Sequence, residues 1–192
     1  MEQQALEILK GMLNARNYKV ESHELVSNKL EDTNMYLMDG VLVIVSEKSR
    51  TSDRDLEAYI KFSIDNSYTN GIIVVSQVSS SERTDDFVRQ YINVKENPML
   101  QIFDIKRLQF DITKHRKVPK HRILSDDEIK KKLTDHPIRK ISIKELPWID
   151  SQDAMAKWIG ARPGDVIEIE RYSESAGNYL YYRHCVANVN ET

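Results

Sequence analysis

The sequence predicts an α/β unit over residues 1–105, a basic connection over 106–117 and a small α+β unit over 118–192. Three observations carry that prediction. Unbroken apolar runs of strand length, VLVIV at 41–45 and GIIVVSQV at 71–78, alternate with helix-period segments, the pattern of a mostly parallel sheet covered by helices. After about residue 105 the texture changes to short alternating strands broken by prolines. Charge changes with it: residues 1–105 hold 11 Lys/Arg against 17 Asp/Glu, residues 106–146 hold 13 against 6, and residues 147–192 hold 4 against 7.

In the first unit, EQQALEILKGMLNARN sets Leu6, Leu9 and Leu13 on one stripe with Ala5 and Met12 beside it, as a surface helix requires. A second helix is expected over 53–64, with Leu56, Ile60 and Ile64 at four-residue spacing and Asp53 near its start. Ser81 is placed to cap a third, which buries Phe87, Val88 and Tyr91. MLQIFD supplies a third strand.

In the second unit, Pro119 holds Val118 extended. Ser125 and Glu128 form a capping box that opens a helix anchored by Ile129 and Leu133. ELPWID is extended or turn-like around Pro147. A short helix follows with Ala154, Met155, Trp158 and Ile159 inward, stopped by Gly160. ARPGD then turns the chain into VIEIERYS, and GNYLYYRHCV returns as its partner strand.

Composition narrows the chemistry. At 192 residues and 40% apolar content the chain can build real cores. A single cysteine, Cys185, excludes an internal disulfide or a thiolate metal cluster and suits a reducing compartment. No run of about 18 apolar residues offers a membrane span, and MEQQALEILKGML lacks the basic start and apolar stretch of a secretory signal. The five histidines stand at 23, 115, 121, 136 and 184, none three or four residues from another. His184 and Cys185 are strand neighbours and point to opposite faces. Phosphate-loop, dinucleotide and nucleophile-elbow motifs are missing, so no cofactor and no metal are expected. One nuclease-like arrangement is conceivable, with Asp39 before VLVIV and Glu47-Lys48 after it. The adjacent Glu and Lys would face opposite ways, the wrong spacing for a carboxylate-plus-lysine metal site. The basic middle can meet phosphate or an acidic protein surface, or simply form a solvated face; Lys114, Arg116, Lys117, Lys120 and Arg122 are the candidates for phosphate.

Ordered motifs from Val118 to Val186 go further. They are Val118-Pro119-Lys120-His121, Leu146-Pro147-Trp148-Ile149, Asp153-Ala154 through Gly160, Arg162-Pro163-Gly164-Asp165-Val166, and RYSESAGNYLYYR from Arg171 to Arg183. This stretch resembles the assembly domain of the fifth subunit of eukaryotic nuclear RNA polymerases, a domain that archaeal members of the family consist of almost entirely. Ser175, Tyr172 and Trp148 depart from the family's usual threonine, proline and arginine. Residues 1–105 resemble the N-terminal jaw domain of the eukaryotic members more loosely.

The resemblance implies a subunit with no catalytic residue of its own. It would dock on the largest subunit among other core subunits, with its jaw domain beside downstream duplex DNA, touching no membrane and forming no homo-oligomer. Partner-interface candidates are Arg171, Ser173, Glu174, Tyr179, Tyr181 and Arg183. Pro119, Pro147, Gly160, Gly164 and Gly177 shape the backbone, the last two by permitting turns that side chains would obstruct. Tyr179 and Tyr181 should share one face and Tyr182 the other, and any of the three can equally serve to pack a small sheet. Divergence and a short N-terminal part suggest a polymerase encoded by a large cytoplasmic DNA virus, located in virion and host cytoplasm; a divergent cellular member would be nuclear. A stand-alone interaction module regulating transcription and a nuclease-like enzyme are the alternatives.

Overall fold

The computed structural model describes residues 1–27, 30–136, 140–175 and 177–189 and shows two compact units, 1–111 and 112–192. The first runs α1 (Glu2–Ala15), β1 (Glu24–Leu25), β2 (Thr33–Met38), β3 (Val41–Ser46), α2 (Asp53–Asp65), β4 (Gly71–Ser76), α3 (Glu82–Asn93) and β5 (Leu100–Asp104), with a closing 3-10 segment at Ile105–Gln109. Its five strands lie in sequence order. β3, β4 and β5 pair in parallel, as their apolar runs require, but β1 and β2 add antiparallel pairs. The sheet is therefore mixed rather than mostly parallel.

A tight hairpin explains the difference. Met38 pairs with Val41 across the two-residue turn Asp39-Gly40, whose φ values of 48° and 77° are both positive. Asp-Gly is the dipeptide that such a turn selects. Asn70 Nδ2 donates to the Asp39 carbonyl at 2.7 Å, and a Cβ on Gly40 would lie 2.5 Å from that nitrogen.

Packing follows the pleat. Leu42, Ile44, Ile72, Val74, Leu100 and Ile102 face one side, in a core that takes Leu56, Tyr59 and Phe62 from α2 and Val88 and Ile92 from α3. Each such fully buried side chain contributes about 1.5–3 kcal/mol over leaving it in water. On the other face Tyr36 donates to Glu2 (2.9 Å) and Arg16 to Gln101 (2.8 Å), tying both ends of α1 to the sheet. The stripe of α1 is as expected, with Ala5, Leu6, Leu9, Met12 and Leu13 buried. α2 differs: Ile64 is 65% exposed, because the buried line runs through Leu56, Tyr59 and Phe62. Its cap is Ser52, in a capping box with Asp55, and Asp53 is the first helical residue. Ser81 caps α3 by accepting from the Thr84 amide.

The second unit runs from a 3-10 turn (Ile112–Lys114) through β6 (Lys120–Ile123), α4 (Asp126–Ile129) with a π turn at Lys130–Thr134, a 3-10 turn (Ile143–Glu145), β7 (Trp148–Asp150), α5 (Ala154–Ile159), β8 (Val166–Ser173) and β9 (Gly177–Val186). The strand order is β6-β8-β9-β7, antiparallel except for the parallel β9–β7 pair. Both faces are covered. One core holds Ile149, Ala156, Ala161, Ile167, Ile169 and Cys185; the other holds Leu124, Leu133, Leu146 and Val166. The capping box of Ser125 and Glu128 is present. In α5 Ala156 and Trp158 are buried and Ile159 packs against the core, whereas Ala154, the first helical residue after the Asp153 cap, is exposed. Gly160 ends α5 at φ 74°.

Candidate docking surface on the small unit

The hairpin β8–β9 is longer than the strands beside it. Its register sets Arg171 opposite Tyr179, Ile169 opposite Tyr181 and Ile167 opposite Arg183. Strand alternation then gathers Arg171, Tyr179, Tyr181 and Arg183 on one face, with Tyr182 on the other. The guanidinium carbon of Arg171 lies 4.2 Å from the centroid of the Tyr181 ring, and that of Arg183 lies 5.7 Å from it. Two cations thus lie against the π system of one ring. Tyr181 also packs on the Ile167–Ile169 core, so it is both wall and platform. Tyr182 packs instead beside Leu133 and Val166.

Arg183 Nη1 donates to the Trp148 carbonyl at 2.9 Å, while its Nε is buried without a hydrogen-bond partner. Ser173, at the end of β8 two residues past Arg171, is half-buried, and Glu174 is exposed at the turn. The tip further exposes Tyr172 (73%), Leu180 (49%) and Tyr179 (38%). Sequence reasoning notes Tyr172 only as a departure from the family pattern and misses Leu180; Tyr172 lies beyond Glu170, where β6 stops pairing, and Leu180 lies before the residues of β9 that β7 pairs with.

Pro119 and Pro147 each supply a carbonyl: His121 Nδ1 lies 2.7 Å from the first, and the His184 amide donates to the second at 3.0 Å. Burial pulls His121 below the ordinary histidine value despite the Pro119 carbonyl. Gly164 and Gly177 take φ of 100° and 65°, and a Cβ at either would meet nothing within 4 Å. Backbone conformation, not obstruction, is what selects glycine there.

The opposite face holds a buried acid that sequence reasoning misses. Glu168, 5% exposed, receives Arg122 Nη2 at 2.7 Å and Lys132 Nζ at 2.5 Å. The alternation of VIEIERYS suggests a solvated residue, but here α4 and its π turn cover that face. Arg122 also reaches Glu128 at 2.8 Å. Its guanidinium is committed to two carboxylates. Lys120 sits 3.9 Å from Glu170, and Lys114, Arg116 and Lys117 are exposed in the stretch before β6.

The nuclease-like arrangement does not assemble. Asp39 and Glu47 flank opposite ends of β3, roughly 20 Å apart at 3.3 Å per residue. Asp39 accepts from the Lys19 amide, and Lys48 pairs with Asp55 at 2.6 Å. Among the described residues no group of His, Cys, Asp or Glu is arranged to hold a metal.

Comparison with known proteins accounts for this unit. The family described as RNA polymerase Rpb5, C-terminal domain, matches residues 110–185. "DNA-directed RNA polymerase subunit Rpo5" of Thermococcus celer is 48% identical over 75 residues, 39% of this chain and 88% of that protein. The subunit of the same name from Pyrococcus horikoshii is 49% identical over 75 residues with the same coverage. "DNA-directed RNA polymerases I, II, and III subunit rpabc1" of Dictyostelium discoideum is 28% identical over 191 residues, 91% of this chain and 92% of that protein. The small unit is thus a domain of the Rpb5 C-terminal type. The chain belongs to the family of the fifth subunit of DNA-directed RNA polymerases.

Proposed function

We propose that this protein is a non-catalytic structural subunit of a multisubunit DNA-directed RNA polymerase. It docks on the largest subunit through the hairpin face of the small unit and braces the polymerase jaw beside downstream duplex DNA. The observation that carries this reading is coverage: this chain spans 88% of an archaeal polymerase subunit with its small unit alone, and 92% of the Dictyostelium subunit with both. The Arg171–Tyr181–Arg183 stack supports docking because it offers donors and an aromatic surface at an exposed edge. The first unit acts as the jaw, and Lys114, Arg116 and Lys117, at the start of the small unit, contribute contacts to the DNA backbone.

We further propose a virally encoded polymerase, which places the protein in virion and host cytoplasm rather than the nucleus. Its support is the motif divergence at Trp148, Tyr172 and Ser175. Length lends nothing, since the Dictyostelium relative matches over 91% of this chain.

Affinity capture of the tagged full chain from its native source, followed by mass spectrometry, tests the main reading. Near-stoichiometric recovery of both largest polymerase subunits is expected. Recovery alone, or with a transcription regulator and no polymerase, overturns it in favour of a stand-alone interaction module.

A further inference from the structure

We propose that the outer edge of β9, from Asn178 to Tyr182, receives an added β-strand from an extended acidic segment of the polymerase; this rests on the docking reading above. β9 has ten residues, but β7 pairs with only three of them, His184, Cys185 and Val186. Five residues before Arg183 are left with no strand on that side among the described residues, an opening about 16 Å long at 3.3 Å per residue.

The direction of the backbone groups is fixed by the ladder. The Cys185 amide donates to the Asp165 carbonyl, on the β8 side, and the His184 amide donates to the Pro147 carbonyl, on the β7 side. In an antiparallel ladder this alternation continues, so Arg183, Tyr181 and Tyr179 bond toward β8 while Tyr182, Leu180 and Asn178 present N–H and C=O outward. An unpaired row of this kind is a template for another strand, and natural edges are ordinarily blunted by proline, lysine or a bulge. Asn178, Leu180 and Tyr182 supply none of these. The added strand would continue the line of β7 below Pro147.

Charge selects the occupant. Arg183 leans over this edge, since the Trp148 carbonyl it binds belongs to β7, and its Nε is buried and unpartnered. Arg171, stacked on Tyr181, has no ion pair among the described residues. Carboxylates on the incoming strand, on the Tyr181 face, meet these guanidiniums in charge-assisted hydrogen bonds. Tyr179 on that face and Leu180 on the other, both exposed, then flank the new strand.

Amide hydrogen exchange, resolved to single residues, on the free full chain and on the chain within purified polymerase tests the strand. In the free chain, Leu180 and Tyr182 should exchange quickly while Tyr179 and Tyr181 are protected. Assembly should slow the outward pair about a hundredfold. Assembly that leaves them fast overturns the added strand alone, and absence from the polymerase overturns the docking reading along with it. For the acidic partner, Arg171→Gln and Arg183→Gln are each co-expressed against tagged wild type, with urea unfolding to confirm that they fold. Each should be under-incorporated about tenfold. Equal incorporation of the folded Arg171→Gln chain overturns the acidic occupant.

Discussion

Lys132 Nζ lies 2.5 Å from a Glu168 carboxylate oxygen that the π turn and Arg122 close off from water, leaving Glu168 5% exposed. This contact ties the helical segment after β6 to the centre of the sheet. A buried carboxylate is tolerated only when its lone pairs are taken, and here two cations take them.

Glu168→Gln should therefore destabilise the small unit by about 2 kcal/mol, less than for a fully buried pair because Arg122 and Lys132 keep some access to water. Both tryptophans of the chain, Trp148 and Trp158, lie in this unit, so tryptophan fluorescence in urea follows its unfolding. A midpoint equal to that of wild type would show that the triad contributes nothing.

The same carboxylate makes stability depend on acid. Burial alone would raise its pKa, but hydrogen bonds and charge from Lys132 and Arg122 hold it below the ordinary 4.5. A depressed folded value means the contribution is fully present above pH 4.5 and is lost as pH falls through the lower folded value. Wild type should lose stability steeply below that point, and Glu168→Gln should lose less. Parallel curves for the two proteins would contradict the assignment.

What is legible in the sequence and what is hidden divide along physical lines. Long apolar runs and helical stripes are legible because burial enforces their period, as with Leu6, Leu9 and Leu13. The β2–β3 hairpin is easily overlooked although Asp39-Gly40 announces it; TNMYLM is too weakly patterned to read as a strand by itself. Glu168 is illegible in principle. Its alternation is that of a one-sided sheet, and only the covering π turn makes it buried. The Arg–Tyr–Arg face is legible as residue types and alternation, while the stacking on Tyr181 comes only from register.

Cys185 is fully buried, and burial, with Asp165, Asp150 and Asp153 adding, pushes its thiol up to about 12. Thiolate is the reactive form, so the native protein should resist Ellman's reagent at pH 8 and react at the rate of unfolding. That rate should climb with urea. Prompt stoichiometric reaction without denaturant would mean that the β7–β9 region opens far more readily than its packing implies.

The start of α2 separates two readings of the same sequence. The sequence sets Asp53 near the helix start, and the structure gives the capping role to Ser52, whose hydroxyl accepts from the Asp55 amide while Asp55 accepts from the Ser52 amide at 2.9 Å. Two amide donors that the helix leaves unsatisfied are thereby paired. Ser52→Ala should cost the first unit about 1 kcal/mol. Asp53→Ala removes only a contact to Arg83, whose side chain is 87% exposed, and should change little. Since this unit lacks tryptophan, exchange of the α2 amides under native conditions is the measurement: faster in Ser52→Ala, near wild type in Asp53→Ala. The reverse order would make Asp53, not Ser52, the cap.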